Sequence, residues 1–320
     1  MAEYAHLSIP DPALASTLEA MAEQPRQTDI ATRREEFKTQ LIPHLKSQLE
    51  PELPPESEYE VKDYMVDVGG AQVLARNIIP RKTTSEETFP VLFWIHGGSK
   101  YDMAGRTGYS NGNADLDDYQ MRILSVKLRI SVVISEYRLA PEHVFPTGLN
   151  DLYAVLKYVI KNPSQFSASF KKGLMLAGSS AGGNLCAVLC HRAKDDPFFK
   201  DTPITGQALL VACVIHPHAY SKLPEEYRSR LLSMDQNANA PVLGKVEVDA
   251  IVGKYRTNLL PSECYKAPPF DPDMSPLLSP SHKGLPPTFI QVCGMDPLRD
   301  DGIVYEKVLK ENGVKTKLLA

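Results

Sequence analysis

The chain has 320 residues, 43% of them hydrophobic, and a formal net charge of −4. That supplies apolar material for one large α/β domain with a buried core. With no Lys/Arg-rich run, nucleic acid and anionic membrane surfaces are excluded as expected partners. The longest apolar run, 208–215, is far too short to cross a bilayer, so no stable membrane insertion is expected. The opening MAEYAHLSIPDP lacks the basic start and apolar stretch of a secretory signal. The five cysteines, Cys186, Cys190, Cys213, Cys264 and Cys293, are scattered, with no C-x-x-C pair for zinc. Reduced thiols, a cytoplasmic location and no metal are the expectation. Leu318-Leu319-Ala320 is not a peroxisomal address, although a C-terminus lying further on could carry one.

Residues 1–58 are polar and helical in pattern, with Ala13 to Met21 and Thr32 to Leu49 read as two amphipathic helices. They precede the first strand signal and form an extension that must pack on something else. Glu60 to Val68 and Ala71 to Ile79 alternate as strands joined by Gly69-Gly70, a hairpin signal. From Phe89 onward, short apolar runs alternate with helical stretches, the mark of parallel βαβ units. The predicted strands are Pro90–Ile95, Ile130–Glu136, Gly173–Ala177, Gln207–Ile215, Thr288–Cys293 and a last one at Val314 to Ala320. Helices are predicted at Thr147–Lys161 and Asn184–Ala193. Residues 218–265 break the rhythm, carry a helix-like Pro224–Met234, and read as an insertion above the sheet.

Three signals carry chemistry. Gly178-Ser179-Ser180-Ala181-Gly182 is a G-x-S-x-G motif between a strand and a helix. A sharp strand-to-helix turn lifts the Ser180 hydroxyl clear of the sheet as a candidate nucleophile, and the helix N-terminus behind it offers free N–H groups. His96-Gly97-Gly98 closes the strand Pro90–Ile95. The unshielded amides of Gly97 and Gly98, with that of Ala181, would stabilise the oxyanion that develops in acyl transfer. His96 itself reads as a structural strand-end residue. Asp296 follows the strand Thr288–Cys293 at the carboxyl end of the sheet, where sites of open α/β folds lie. Asp300 and Asp301 read as the start of the next helix, capping its free amides. The order Ser180 then Asp296 leaves a histidine expected last.

His96-Gly97-Gly98, Tyr137-Arg138-Leu139-Ala140-Pro141-Glu142-His143, Gly178–Asn184, Asp273-Met274-Ser275-Pro276-Leu277 and Asp296-Pro297-Leu298-Arg299-Asp300 together resemble the hormone-sensitive-lipase-like (α/β-hydrolase fold-3) esterases. The resemblance covers residues 10 to 320. It implies an α/β-hydrolase fold, with a mostly parallel central sheet, helices on both faces and a helical cap. It divides the chain into N-terminal cap helices (1–58), a core (59–217 and 266–320) and a cap insertion (218–265). It implies hydrolysis of a small-molecule carboxylester by a Ser-Asp-His triad without metal or organic cofactor, and a homodimer is compatible with it. The style of the chain looks fungal, and similar fungal members act in toxin and other secondary-metabolite pathways.

Two departures stand out. Ser99 replaces a third glycine found in many members. More seriously, no histidine follows Asp296, so the final catalytic loop and closing helix are missing from the 320 residues. His282 precedes its strand, at the wrong end of the sheet. His143 belongs to a motif that sets backbone geometry, His216 and His218 are the best surrogates, and His6, His44 and His191 read as surface or packing residues. Triad loss costs many powers of ten in rate. The leading expectation is therefore a serine esterase whose 320-residue form is truncated and nearly inert. The alternatives are a non-catalytic small-molecule-binding protein on a hydrolase scaffold and a product that misfolds.

Overall fold

The computed structural model describes residues 4–14, 16, 30–98, 109–240, 243–245, 248 and 265–320. Its strands are β1 (Tyr59–Asp67), β2 (Gln72–Pro80), β3 (Val91–Ile95), β4 (Ser131–Ser135), β5 (Leu174–Ser179), β6 (Gly206–Leu210), β7 (Thr288–Gln291) and β8 (Thr316–Leu319). They form one sheet in the order β1-β2-β4-β3-β5-β6-β7-β8. β2 runs antiparallel to both neighbours, and every other pairing is parallel. The β1–β2 turn is tight: Gly69 and Gly70 both sit at φ 88, where a side chain is disfavoured, and Val68 N donates to Ala71 O at 2.9 Å.

The helices are α1 (Ile30–Glu36), α2 (Ile42–Leu49), α3 (Asp118–Leu128), α4 (Thr147–Lys161), α5 (Ala181–Asp195), α6 (Glu225–Arg228), α7 (Ser233–Gln236) and α8 (Arg299–Glu311). A π-turn, Phe37–Leu41, joins α1 to α2 and makes them the predicted long N-terminal helix. Pro43 has no N–H for the helical ladder, and the wider turn lies just ahead of it. The predicted helix Ala13 to Met21 lies largely outside the described residues, and Pro12–Leu14 at its edge is a 3₁₀ turn. The helix-like stretch Pro224–Met234 resolves into two single turns, α6 and α7.

Strand alternation builds two apolar layers. Val91, Phe93 and Ile95 of β3 enter the larger one, with Leu152 and Leu156 of α4, Leu185 and Leu189 of α5, and Val304 of α8. Leu92 and Trp94 point the other way, onto Ile78, Ile134 and Met121 of α3. On that second face cover thins out past β5, where Met175 is 37% and Leu319 51% exposed.

One strand is shorter than its apolar run. Gln207–Ile215 reads as continuous, yet β6 ends at Leu210 because Val211 turns to φ 45, a left-handed conformation unfavourable for a β-branched residue. Val211 N still donates to Gln291 O at 2.8 Å. Residues 212–215 then leave the sheet but stay largely buried (Val214 1% and Ile215 0% exposed), which is why hydrophobicity alone overextends the strand.

Candidate active site

Ser180 sits at φ 54 and ψ −117 between β5 and α5. That strained backbone is held from both sides: Ser180 N donates to Leu210 O at 2.8 Å, and Ser180 O accepts from Asn184 N at 3.0 Å. Small neighbours are a packing requirement. A Cβ on Gly182 would lie 2.2 Å from Ile95 O and 2.6 Å from His96 O, so α5 meets the end of β3 backbone to backbone. Ala181, 2% exposed, opens α5, where the first-turn amides have no helical acceptor. Among the described residues no histidine is hydrogen-bonded to Ser180.

Gly97 and Gly98 follow β3, next to β5 in the sheet, so the structure brings them to the same edge as Ser180. Gly97 backs directly onto the turn, since a Cβ there would meet Ser179 O at 2.5 Å. His96 is 1% exposed and stacks on Tyr137 (centroids 4.6 Å, 14°). Its Nδ1 lies 3.0 Å from Gly97 O, an acceptor, so Nδ1 carries the proton. Tyr137 hydroxyl donates to His96 O at 3.1 Å. Burial pushes the His96 pKa down and the Tyr137 pKa up, and both stay neutral. His96 is thus part of the scaffold, as its position suggests.

Asp296 is 7% exposed and lies in the turn after β7, two strands from Ser180. Its Oδ1 accepts from Leu298 N at 2.8 Å, and its carbonyl accepts from Asn237 Nδ2 at 3.0 Å. The same amide group donates to Gly294 O at 3.1 Å. Arg299, fully buried, donates to Gly294 O at 3.0 Å, Ser8 Oγ at 2.8 Å, Gln236 Oε1 at 2.6 Å and Asp300 Oδ1 at 2.8 Å. The N-terminal segment and the 218–265 stretch therefore both grip this turn.

Asp300 and Asp301 differ from their predicted role as caps of their own helix. Asp300 Oδ2 accepts from Leu232 N (2.9 Å) and Ser233 N (2.7 Å) at the start of α7, while Asp300 N donates to Ser233 Oγ at 3.0 Å. Asp301 accepts from Tyr220 hydroxyl at 2.7 Å, and burial pushes its carboxyl well above the usual range. Both are tertiary contacts, to segments 67 and 81 residues away. Nothing local in the sequence signals them, nor Asn237 and Arg299 as supports of Asp296.

The described histidines have other work. His216, 1% exposed, caps the 3₁₀ turn Pro217–Lys222: its Nδ1 accepts from His218 N at 3.1 Å, and its own N–H donates to Ser275 Oγ at 3.0 Å. His143 shares a cavity of about 460 Å³ with Arg34, Phe37 and Glu136. His282 and His191 lie edge to face (5.1 Å), with His282 ahead of β7 and His191 bonded to Tyr305 at 3.1 Å. Burial lowers the His191 pKa to about 3. No helix of the described residues is long and apolar enough to cross a membrane, and no metal-ligating cluster occurs among them.

A family model described as alpha/beta hydrolase fold matches residues 92–320. The chain is similar to the carboxylesterase NlhH of Mycobacterium tuberculosis, 33% identical over 236 residues, 72% of this chain and 64% of that one. It is similar to versiconal hemiacetal acetate esterase of Dothistroma septosporum, 33% identical over 229 residues, 71% and 63% respectively. The crystal structure of vibralactone cyclase superposes with a TM-score of 0.84 at 40% identity, covering 98% of this chain and 85% of the other. The chain spans about three fifths of the length of the curated relatives it matches. The strained serine turn, the glycines abutting it and these similarities together show that the chain belongs to the hormone-sensitive-lipase-like family of the α/β-hydrolase fold, a family of carboxylesterase-type hydrolases.

Proposed function

We propose that the protein is a serine carboxylester hydrolase of small esters, with Ser180 as nucleophile, Gly97, Gly98 and Ala181 as oxyanion donors, and Asp296 as triad acid. The observation that carries this reading is the backbone of Ser180, held at φ 54 directly against the His96-Gly97 strand end. Strain is retained where surrounding structure over-determines it, and a half-buried serine beside unshielded amides is what acyl transfer uses. Ser180 Oγ bonds to the ester carbonyl, the alcohol leaves, and water cleaves the acyl-enzyme. The N-terminal helices and the described residues of the 218–265 stretch serve as the cap over this edge. Similarity to the versiconal hemiacetal acetate esterase favours a place in fungal secondary metabolism. Similarity to vibralactone cyclase keeps an internal hydroxyl as a second acyl acceptor, because a lactone is the ester of a chain's own hydroxyl.

On this reading the histidine base is not among the 320 residues, since none follows Asp296. The 320-residue chain then hydrolyses esters only at the residual rate that binding and oxyanion stabilisation supply. The test compares p-nitrophenyl butyrate hydrolysis by this chain, by its Ser180→Ala variant and by the product of the transcript read past the Ala320 codon. The reading expects the longer product to carry a histidine and to be faster by roughly 10³-fold or more. A genuine stop after Ala320 in a stable protein that binds small esters without turnover would favour the binding-protein reading.

A further inference from the structure

Two loops back onto the end of β3 that carries Gly97. The first holds Gly112, at φ 107, where a Cβ would meet Gly97 O at 2.5 Å and His96 Nδ1 at 2.6 Å. The second follows β4 and holds Tyr137, which stacks on His96 and donates to its carbonyl at 3.1 Å. The loops meet where Ala140 N donates to Tyr109 O at 3.0 Å. Both are buried at that junction, with Ser110 and Ala140 each 1% exposed, so their carbonyls must find donors inside the protein.

One side chain from a distant segment supplies them. Arg34 of α1 donates from Nε and Nη2 to Ser110 O at 3.1 and 3.0 Å, and from Nη2 to Ala140 O at 3.0 Å. Its Nη1 meets Glu142 Oε1 at 2.7 Å, which holds the guanidinium plane in place. These bonds reach across 76, 106 and 108 residues of sequence. The planar fork of arginine is what lets one residue span two carbonyls and a carboxylate, and the single ammonium of lysine has no such reach. Ser110 lies two residues before Gly112, and Ala140 three after Tyr137. Arg34 therefore ties together the two loops that press on His96 and Gly97. Without it, two buried carbonyls lose their donors and the loops must shift to regain them.

We propose that Arg34 is a positioning residue for the oxyanion wall: by bridging Ser110 O and Ala140 O it fixes the loops behind Gly97, and so the aim of that amide. The N-terminal helix is then part of the catalytic edge as well as a cover for it. This deepens the ester reading and rests on it for the reaction that the amide serves. Oxyanion donors act by being pre-aimed, so a small displacement of Gly97 lowers the rate without unfolding the protein.

The experiment follows butyrylation of Ser180 by p-nitrophenyl butyrate with mass spectrometry, together with melting temperatures and the amide NMR signals of ¹⁵N-glycine-labelled protein. In the labelling step Ser180 Oγ bonds to the butyryl carbon, p-nitrophenolate leaves with the bonding pair, and the hydroxyl proton passes to water. Arg34→Ala should label about tenfold more slowly than wild type, with its Gly97 and Gly112 signals shifted and Gly69 and Gly313 in place. Arg34→Lys can pair with Glu142 but cannot span both carbonyls, so it should recover the melting temperature and not the rate. Arg129→Ala is the control: it removes bonds to Arg81 O and Glu87 at the opposite end of the sheet, and should lower the melting temperature by a similar 2–4 °C or so while labelling at the wild-type rate. Equal rates in wild type and Arg34→Ala, an unmoved Gly97 signal, full rescue of the rate by lysine, or an equal slowing in Arg129→Ala would overturn the assignment. Should wild type not label at Ser180, the ester reading falls, and the Gly97 signal alone decides whether Arg34 positions that strand end.

Discussion

The serine corner and the acid corner of this site are built by different means. Around Ser180 the backbone does the positioning: Gly182 abuts Ile95 O, Gly97 abuts Ser179 O, and two main-chain bonds hold the turn. Around Asp296 the work falls to side chains from distant segments. Arg299, Asp300, Ser233 and Asn237, all buried, form one set of bonds with the half-buried Ser8 and the exposed Gln236 that spans up to 291 residues of sequence. A corner made of backbone tolerates no added atom, whereas a corner made of buried polar side chains tolerates no missing one.

The largest effect expected from that contrast is at Asp300. Replacing it by Ala leaves the Arg299 guanidinium buried without its carboxylate and strips two amides of their acceptor. The expected loss is about 3–5 kcal/mol, read as a fall of about 10 °C in melting temperature. Next is Gly182→Ala, which presses a methyl group onto Ile95 O and should cost about 2–3 kcal/mol by denaturant unfolding. Equal tolerance of both changes would dissolve the distinction. Asn237→Ala removes two bonds to the Asp296 turn and should cost about 1–2 kcal/mol, leaving the serine corner intact.

The smallest effect at neutral pH lies away from both corners. His191 has a folded pKa of about 3, against an ordinary value of 6.5. Above 6.5 the group is neutral folded or unfolded and costs nothing. As pH falls from 6.5 towards 3 the unfolded chain takes up the proton first, and stability drops by at most about 1.4 kcal/mol per pH unit. His191→Gln keeps a partner for Tyr305 and should narrow the gap between melting temperatures at pH 7.5 and pH 5. An unchanged gap would show that His191 is not what titrates.

The contrast also explains what could be read from sequence. The serine corner follows local rules: G-x-S-x-G between strand and helix, His-Gly-Gly at a strand end, and strand alternation that sorts Phe93 from Trp94. The proposed acid, Asp296, is legible because it follows β7. Its support is not, because Asn237 and Ser233 lie in a polar stretch and reach Asp296 and Asp300 only through the fold. The overextended β6 has another cause: residues 212–215 are as apolar as a strand and as buried, and only the φ of Val211 separates the two.

The central claim, that this edge of the sheet is built for acyl transfer to Ser180, is tested most directly by trapping the acyl group. p-Nitrophenyl butyrate has a leaving group that needs no proton, so its acyl transfer to Ser180 needs no general acid and asks less of the site than that of an alkyl ester. Intact-mass and peptide spectrometry of the 320-residue protein after incubation with this ester should therefore find one butyryl group, on the peptide containing Ser180, and none in Ser180→Ala. Butyrylation spread over other residues at the same rate, or a wild type and variant that label alike, would contradict it.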